Sequence, residues 1–234
     1  MSELVGHVAA ITRFPVKSMA GEACATAAID WQGIEGDRQW AWVKAGDLSR
    51  FPWFTARDLS ALVRYRATFA DPADARRSAV GVVAPDGRSW SLTDPAFRAE
   101  LETVAKRALT LVQLGRGAHD AMPVSVASTA DFAALNAAHG CPLDPRRFRT
   151  NLVVESATHT AHWPGRRVRF GDGAALLLAA EAPRCAMVTI DPDTAARDPA
   201  VMRTVAQDFG GAFATYANVA QPGAVGVGDP VWVG

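Results

Sequence analysis

The sequence has few cysteines, and their number does not allow all of them to pair. It contains Cys24, Cys141 and Cys185, and none of them forms a C-x-x-C or another closely spaced pair. A disulfide framework uses an even number of cysteines, and a structural zinc site uses clustered ones. The sequence therefore disfavours both kinds of site and leaves either one reactive thiol or buried thiols.

Net charge and long apolar runs are also absent. The 24 Lys and Arg residues balance 24 Asp and Glu residues in a chain of 234, which argues against a nucleic-acid binder or a polybasic membrane binder. The most apolar stretch, residues 174–180, is far too short to span a bilayer. Residues 1–7 lack the features of a secretory signal. We expect a cytoplasmic protein without nucleic-acid or membrane partners.

What the sequence does contain is enough apolar surface for a core and many short strands. Apolar residues make up 49% of the chain, and the charged 21% is mixed in sign, as in a folded globular protein. Short apolar or alternating runs bounded by Gly, Pro or Asp predict strands. These runs are residues 8–12, 25–30, 39–43, 62–69, 79–84, 109–114, 124–127, 151–154, 167–170, 175–180, 185–189, 213–219 and 231–233.

Three helices are predicted from their capping residues. Asp94 and Asp198 each precede a proline, which is the pattern of an N-cap followed by the first helical position. Ser128, with Asp131 three residues later, predicts the start of a further helix, and Gly140 predicts the end of that helix. Without β-α-β alternation, the pattern predicts a mainly β fold with peripheral helices (α+β), a barrel or sandwich, with an internal boundary near residue 115.

Arginines are concentrated locally although the whole chain is neutral. Arg147 and Arg149 flank Phe148, and Arg184 directly precedes Cys185. Because guanidinium groups bind phosphate or carboxylate in a bidentate manner, this concentration is consistent with a small anionic ligand. Solvated strand edges are the alternative interpretation. In a strand, the side chains of Arg147 and Arg149 would share one face.

Smaller anion-binding elements lie at the ends of other predicted strands and helices. Lys17, Ser18 and Arg38 follow or precede strands, where such side chains hold phosphate or serve as turn residues. Ser128 and Thr129 at a helix start offer hydroxyl and free N–H groups. Capping alone would explain Ser128.

Cys185 is the cysteine that has a cationic neighbour in the sequence. A guanidinium beside a thiol favours the thiolate, which is both a nucleophile and a soft metal ligand. The alternative is a buried structural thiol, which is the interpretation we adopt for Cys24 and Cys141. His159 and His162 are three residues apart, but no third ligand completes a metal site around them.

Taken together and in order, these motifs resemble MOSC proteins, which are named after the C-terminal domain of molybdenum cofactor sulfurase. The subgroup they resemble is the mitochondrial amidoxime-reducing component and its bacterial relatives. The resemblance implies an N-terminal β-barrel-like domain over residues 1–115 and a MOSC β-barrel domain over residues 116–234. It rests on residues 13–19, 21–22, 33–38 and 55–57 for the first domain, and on His119-Asp120, Ser128-Thr129, residues 147–151, Trp163-x-Gly165, Arg184-Cys185 and Gly228-Asp229 for the second.

The resemblance also implies a molybdenum–molybdopterin cofactor between the two domains. Cys185 matches the cysteine that is both the metal ligand and the catalytic residue. Thr150 stands where the family usually has proline. The cofactor-binding residues it implies are Lys17, Ser18, Arg38, Arg57, Ser128, Thr129, Arg147, Arg149, Asn151 and Arg184.

The reaction implied by the resemblance is reduction of a small N-hydroxylated substrate, such as an amidoxime, a hydroxylamine or an N-hydroxylated base. No cysteine follows Cys185 to hold an iron–sulfur cluster, so we expect a separate electron-donor protein of the ferredoxin or flavin reductase type. Two alternatives remain. One is a sulfur-carrier or cofactor-delivery protein with a persulfide on Cys185, and the other is a catalytically silent anion-binding protein.

Overall fold

The computed structural model describes residues 2–234, and within them the fold is mainly β. Its helices are α1 (Pro95–Ala105), α2 (Thr129–His139) and α3 (Pro199–Asp208). The strands are β1 (Glu3–Arg13), β2 (Glu22–Cys24), β3 (Thr26–Asp30), β4 (Gly33–Ile34), β5 (Trp40–Lys44), β6 (Trp53–Phe54), β7 (Arg66–Phe69), β8 (Val80–Val83), β9 (Ser89–Ser91), β10 (Leu109–Gln113), β11 (Val124–Ser128), β12 (Leu152–Glu155), β13 (Arg167–Phe170), β14 (Ala175–Pro183), β15 (Ala212–Gln221), β16 (Gly223–Gly226) and β17 (Pro230–Val233).

Seven of these strands close a barrel. They run in the order β12-β11-β15-β14-β13-β17-β1, and β1 pairs back to β12, so that the ring is complete. The barrel is filled by apolar side chains such as Val126, Leu152, Phe170 and Leu176, which are fully buried. Strand β1 is part of this barrel although it lies in the first of the two predicted domains. The division at residue 115 stays a prediction.

A second apolar core is formed by residues between 16 and 109 together with Ile190. Short sheets β10-β5-β6 and β7-β8-β9 enclose it together with α1. Phe97 on α1 is fully buried, and its ring contacts the rings of Trp42, Tyr65 and Trp90 at centroid distances of 5.9, 6.1 and 5.5 Å. The predicted mainly β architecture with peripheral helices is confirmed.

The three helices begin as their capping residues predict. The Asp94 side chain accepts a hydrogen bond from Ala96 N, and Asp198 caps α3 in the same way. Ser128 and Asp131 form a reciprocal capping box at the start of α2. Within residues 2–234, no helix has the length and hydropathy needed to cross a membrane.

Two stretches of predicted strand are wrong, and so is the strand conformation considered for Arg147 and Arg149. Residues 145–148 form a 3-10 helix, and Arg149 follows it with φ +52°, so Arg147 and Arg149 do not share a strand face. Asp144 caps this turn ahead of Pro145, the same signal that begins the longer helices. Residues 186–189 form another 3-10 helix after Cys185, and the start of the run at residues 62–69 belongs to a third, Ser60–Arg64.

Candidate functional site

A cleft of about 830 Å³, measured to its open mouth, lies where loops from the two cores meet. Every predicted site residue except Ser128 and Thr129 lines it. These residues are Lys17, Ser18, Arg38, Arg57, Arg147, Arg149, Asn151, Arg184 and Cys185. Because most of them are cations, we call it the cationic cleft.

The buried carboxylate of Asp37 organises one side of the cationic cleft. Its Oδ1 accepts a hydrogen bond from Phe14 N at 2.7 Å, and its Oδ2 pairs with Arg38. Arg38 in turn donates from Nη2 to the carbonyl oxygen of Arg149 at 3.0 Å. This chain of contacts connects the segment after β1 to the turn that precedes β12.

Arg149 projects a buried guanidinium toward the cleft from a left-handed backbone. Its Nη1 donates to the carbonyl of Met19 at 2.6 Å, and its guanidinium carbon lies 4.1 Å from the centre of the Phe14 ring. Nη2 is buried and has no hydrogen-bond partner. Burial, together with nearby Arg38, lowers the pKa of Arg149 to about 9. A bound anion would satisfy the free N–H group and stabilise the charge.

Arg147 and Arg184 hold the turns around the cleft. Arg147 donates to the carbonyl of Thr189 at 3.0 Å and to Asp191 at 2.8 Å, while its Nε is buried without a partner. Arg184 donates to the carbonyls of Phe148 and Phe213, and burial lowers its pKa to about 10. The hydrogen bonds of Arg184 are thus made to the main chain.

Cys185 presents its thiol at the surface of the cleft. It follows the end of β14, precedes the 3-10 helix Ala186–Thr189 without a side-chain capping hydrogen bond, and is both exposed and unpaired. Within residues 2–234, no group of three or more His, Cys, Asp or Glu side chains is placed to hold a metal ion. A metal bound to Cys185 would therefore take its other ligands from a cofactor.

The loop at residues 117–120 adds two groups that are absent from the predicted set of cofactor-binding residues. Lys17 Nζ donates to the carbonyl of Ala118 at 2.6 Å and to Asp120 Oδ1 at 2.7 Å. Burial lowers the pKa of Lys17 below its ordinary value. His119 is largely buried, and burial, together with nearby Arg38, lowers its pKa to about 4, so it is neutral near pH 7. A side chain at Gly117 would collide with His119 Nε2, which is a local reason for glycine there.

The cationic cleft holds more positive charge than its carboxylates neutralise. Arg57 is exposed, and its guanidinium carbon lies 4.4 Å from the centre of the Phe51 ring. Lys17, Arg38 and Arg147 pair with Asp120, Asp37 and Asp191, whereas Arg57, Arg149 and Arg184 make no ion pair among the described residues. The excess favours an anionic ligand.

Two family models together match nearly the whole chain. The model described as "MOSC domain" matches residues 114–232, and the model described as "MOSC N-terminal beta barrel domain" matches residues 5–122. The chain belongs to the MOSC family. MOSC domains are associated with the molybdenum cofactor, and the predicted family is confirmed.

One solved structure shares the fold over the whole chain, and a second matches about half of it. The YuaD protein from Bacillus subtilis is 17% identical, and the match covers 100% of this chain and 98% of that one with a TM-score of 0.54. The YiiM protein from Geobacillus stearothermophilus is also 17% identical, over 48% of this chain and 54% of that one, with a TM-score of 0.39. No curated protein matches the chain.

The cleft of this MOSC protein fits a phosphate-bearing metal cofactor. Its accessible thiol is a soft-metal ligand, and its unpaired guanidinium groups suit a phosphate. The buried polar atoms without a hydrogen-bond partner provide an independent test of whether the cleft fits an anionic group. Two of the five among residues 2–234, Arg147 Nε and Arg149 Nη2, belong to cleft residues, and the other three are indole nitrogens of Trp40, Trp42 and Trp163.

Asn151 lines the cleft, but its side-chain amide forms hydrogen bonds with neighbouring strands of the barrel. Its Oδ1 accepts from the backbone and hydroxyl groups of Ser125, each at 3.1 Å, and its Nδ2 donates to the carbonyl of Thr12 at 3.2 Å. It joins β1 to β11 directly beneath the cleft. Asn151 is therefore placed to hold the shape of a binding site.

Ser128 and Thr129 are the predicted site residues that the fold does not bring to the cleft. The Ser128 hydroxyl is buried and accepts from Asp131 N at 3.1 Å within the capping box. The Thr129 hydroxyl donates to the carbonyl of Ser156 at 3.1 Å. The contacts of Ser128 therefore agree with the alternative interpretation, in which it caps the helix. Neither residue lines the cleft.

Replacing Ser128 by Ala tests this capping role. Loss of the buried cap is expected to lower the free energy of unfolding by about 1–2 kcal/mol. Urea unfolding measures the change, and the exposed Ser91→Ala serves as the matched control, with an expected change below about 0.5 kcal/mol. Equal stability of the two variants would contradict the capping role.

The buried neutral His119 makes stability depend on pH. Its pKa of about 4 lies below the ordinary value of 6.5, so the unfolded state binds more protons as the pH falls through this window. The neutral side chain contributes fully to the free energy of unfolding above pH 6.5. This contribution, up to about 3 kcal/mol, is lost as the pH falls toward 4. Unfolding of metal-free protein at several pH values should give a flatter profile for His119→Gln than for the wild type. Parallel profiles would show that His119 is not the group responsible.

Proposed function

We propose that this protein is a molybdenum-cofactor-dependent oxidoreductase that reduces small N-hydroxylated compounds. The substrate class comprises amidoximes, hydroxylamines and N-hydroxylated bases. The observation that carries the proposal is the exposed Cys185 thiol in one cleft with the buried, unpartnered nitrogens of Arg147 and Arg149. That combination suits a ligand with both a soft metal and an anionic group.

In this proposal, each part of the cleft has a separate task. Cys185 Sγ is the protein ligand of the metal and the catalytic residue. Arg57, Arg147 and Arg149 bind the anionic part of the cofactor. Arg184 holds the turns through the carbonyls of Phe148 and Phe213. When bound, the cofactor supplies the two-electron chemistry that breaks the N–O bond, with two protons taken up and the oxygen leaving as water.

The protein's own groups set the electrostatics of that chemistry. The unpaired guanidinium groups lower the energy of negative charge inside the cleft, and partial burial strengthens this effect. Lys17 is held by Ala118 and Asp120 at 2.6 and 2.7 Å, so its position is fixed before a ligand arrives. A separate donor protein, of the ferredoxin or flavin reductase type, would deliver electrons at the exposed mouth.

A second candidate function uses the same thiol without a metal. Cys185 is exposed and unpaired, as a sulfur carrier or cofactor-delivery protein requires. Its thiolate would attack the terminal sulfur of a donor protein's persulfide, forming a persulfide on Cys185 and releasing the donor thiolate. The cations of the cleft would then stabilise the anionic persulfide.

Metal analysis of protein from a cofactor-producing host tests the first candidate. Wild-type protein should contain molybdenum and pterin in near-equal amounts. Cys185→Ser should lose the metal, and Arg149→Gln should bind the cofactor about 10- to 100-fold more weakly, because a charged hydrogen bond is removed. The expectation of a buried thiol at Cys141 is wrong, because this cysteine is exposed and unpaired. Cys141→Ser is therefore the matched control and should retain both.

Turnover provides the second arm of this experiment. Loaded wild-type protein should reduce benzamidoxime with a reduced viologen as donor, whereas Cys185→Ser should show only background activity. Metal-free purified protein, or full molybdenum content in Cys185→Ser, would overturn the reductase proposal. Mass spectrometry that finds a labile extra sulfur on Cys185 in metal-free protein would favour the carrier instead.

A further inference from the structure

A second, larger cavity lies behind one wall of the cationic cleft. Arg147, Arg149 and Met187 line both spaces, so they form the partition between them. The second cavity measures about 1600 Å³ to its open side, and Cys185 is not among its lining residues. We call it the outer groove.

Small side chains on the outside of the barrel form the floor of the outer groove. Ala10 and Thr12 of β1, Ala23 of β2 and Val153 of β12 all line it. Because these side chains are short, they leave space above the sheet. Apolar residues, including Val63, Pro85, Ile190 and Pro192, also line the groove, which is therefore suited to an extended apolar body.

The charge of the outer groove is positive. Arg64 and Arg66 lie on its wall, are exposed, and make no ion pair or side-chain hydrogen bond among residues 2–234. The carboxylate in its lining, Asp193, is already paired with Arg146 at 2.6 Å. An anionic group entering here would meet two free guanidinium groups and no free carboxylate.

The partition adds buried positive charge to that of the outer groove. Arg149 Nη2 and Arg147 Nε are buried without partners, and Arg149 has no carboxylate partner among the described residues. Charges in a poorly solvated wall act over longer distances than exposed ones. The anionic end of a ligand is thus favoured in the groove even where it does not touch the partition.

We propose that the outer groove is a second ligand site that binds an organic monocarboxylate with an extended apolar chain. Its carboxylate pairs with Arg64 and Arg66, and its chain lies over the floor formed by Ala10 and Ala23. The site is distinct from the cationic cleft and goes beyond the proposed reductase activity, since it needs neither Cys185 nor a metal.

Calorimetric titration of the full chain with decanoate and with decanol tests the charge requirement. Wild-type protein should bind decanoate at least about tenfold more tightly than decanol. The double variant Arg64→Gln/Arg66→Gln should remove this difference by weakening decanoate alone, because a charged hydrogen bond is worth about that much. Equal affinity of the two ligands for the wild type would overturn the proposal.

Location is tested by filling the groove. Ala23 is exposed on a short strand, and Ala23→Trp should weaken decanoate at least about tenfold while leaving molybdenum content unchanged. Arg57→Gln, in the cationic cleft, is the matched control and should keep decanoate binding. Loss of binding in Arg57→Gln, or no loss in Ala23→Trp, would place the ligand elsewhere and overturn the proposal.

A structural readout keeps the test independent of how the variants fold. In crystals of wild-type protein with a terminally brominated decanoate, the bromine should be located by anomalous scattering over the β1 and β2 floor. Bromine in the cationic cleft, or no bound ligand at concentrations that saturate the titration, would overturn the proposal. Because this measurement does not involve the metal, its failure is separate from failure of the reductase proposal.

Discussion

The buried carboxylate of Asp37 is the contact on which the cationic cleft depends. It accepts the backbone N–H of Phe14 and pairs with Arg38, which reaches the carbonyl of Arg149. Removing one member of such a buried set leaves another charge or donor unsatisfied, which costs more than the lost bond itself. The three segments that carry Lys17, Arg38 and Arg149 are therefore positioned together rather than one at a time.

The same cleft combines satisfied and unsatisfied cations. Lys17, Arg38 and Arg147 have carboxylate partners, and their role in the free protein is largely structural. Arg149 is held at Nη1 by the Met19 carbonyl and on its face by Phe14, yet it retains a free buried nitrogen. Such a site gives up stability in the unliganded state and regains it when an anion binds.

Much of this arrangement is readable from the sequence, because local signals govern it. Asp-Pro and Ser-x-x-Asp patterns predict the helix starts, and short apolar or alternating runs predict most strands of the barrel. The turns at residues 145–149 and 186–189 are missed. The second is a short, mainly apolar run that fits a strand and a 3-10 helix equally well, and the first is an arginine-rich segment with a single apolar side chain besides its proline. Asp144-Pro145 carried the signal for the first turn, whereas the depressed pKa of His119 depends on long-range burial that no local pattern contains.

The pairing of β1 with later strands determines when the cleft can form during protein synthesis. Strand β1 pairs with β12 and with β17, the last strand of the barrel along the chain, and its continuation carries Lys17 and Ser18 into the cleft. A ribosome must therefore release the segment Pro230–Val233 before the first strand has both neighbours. Contacts of such large sequence separation form late. Any cofactor for this cleft therefore binds after β17 has been made and the barrel has closed around β1.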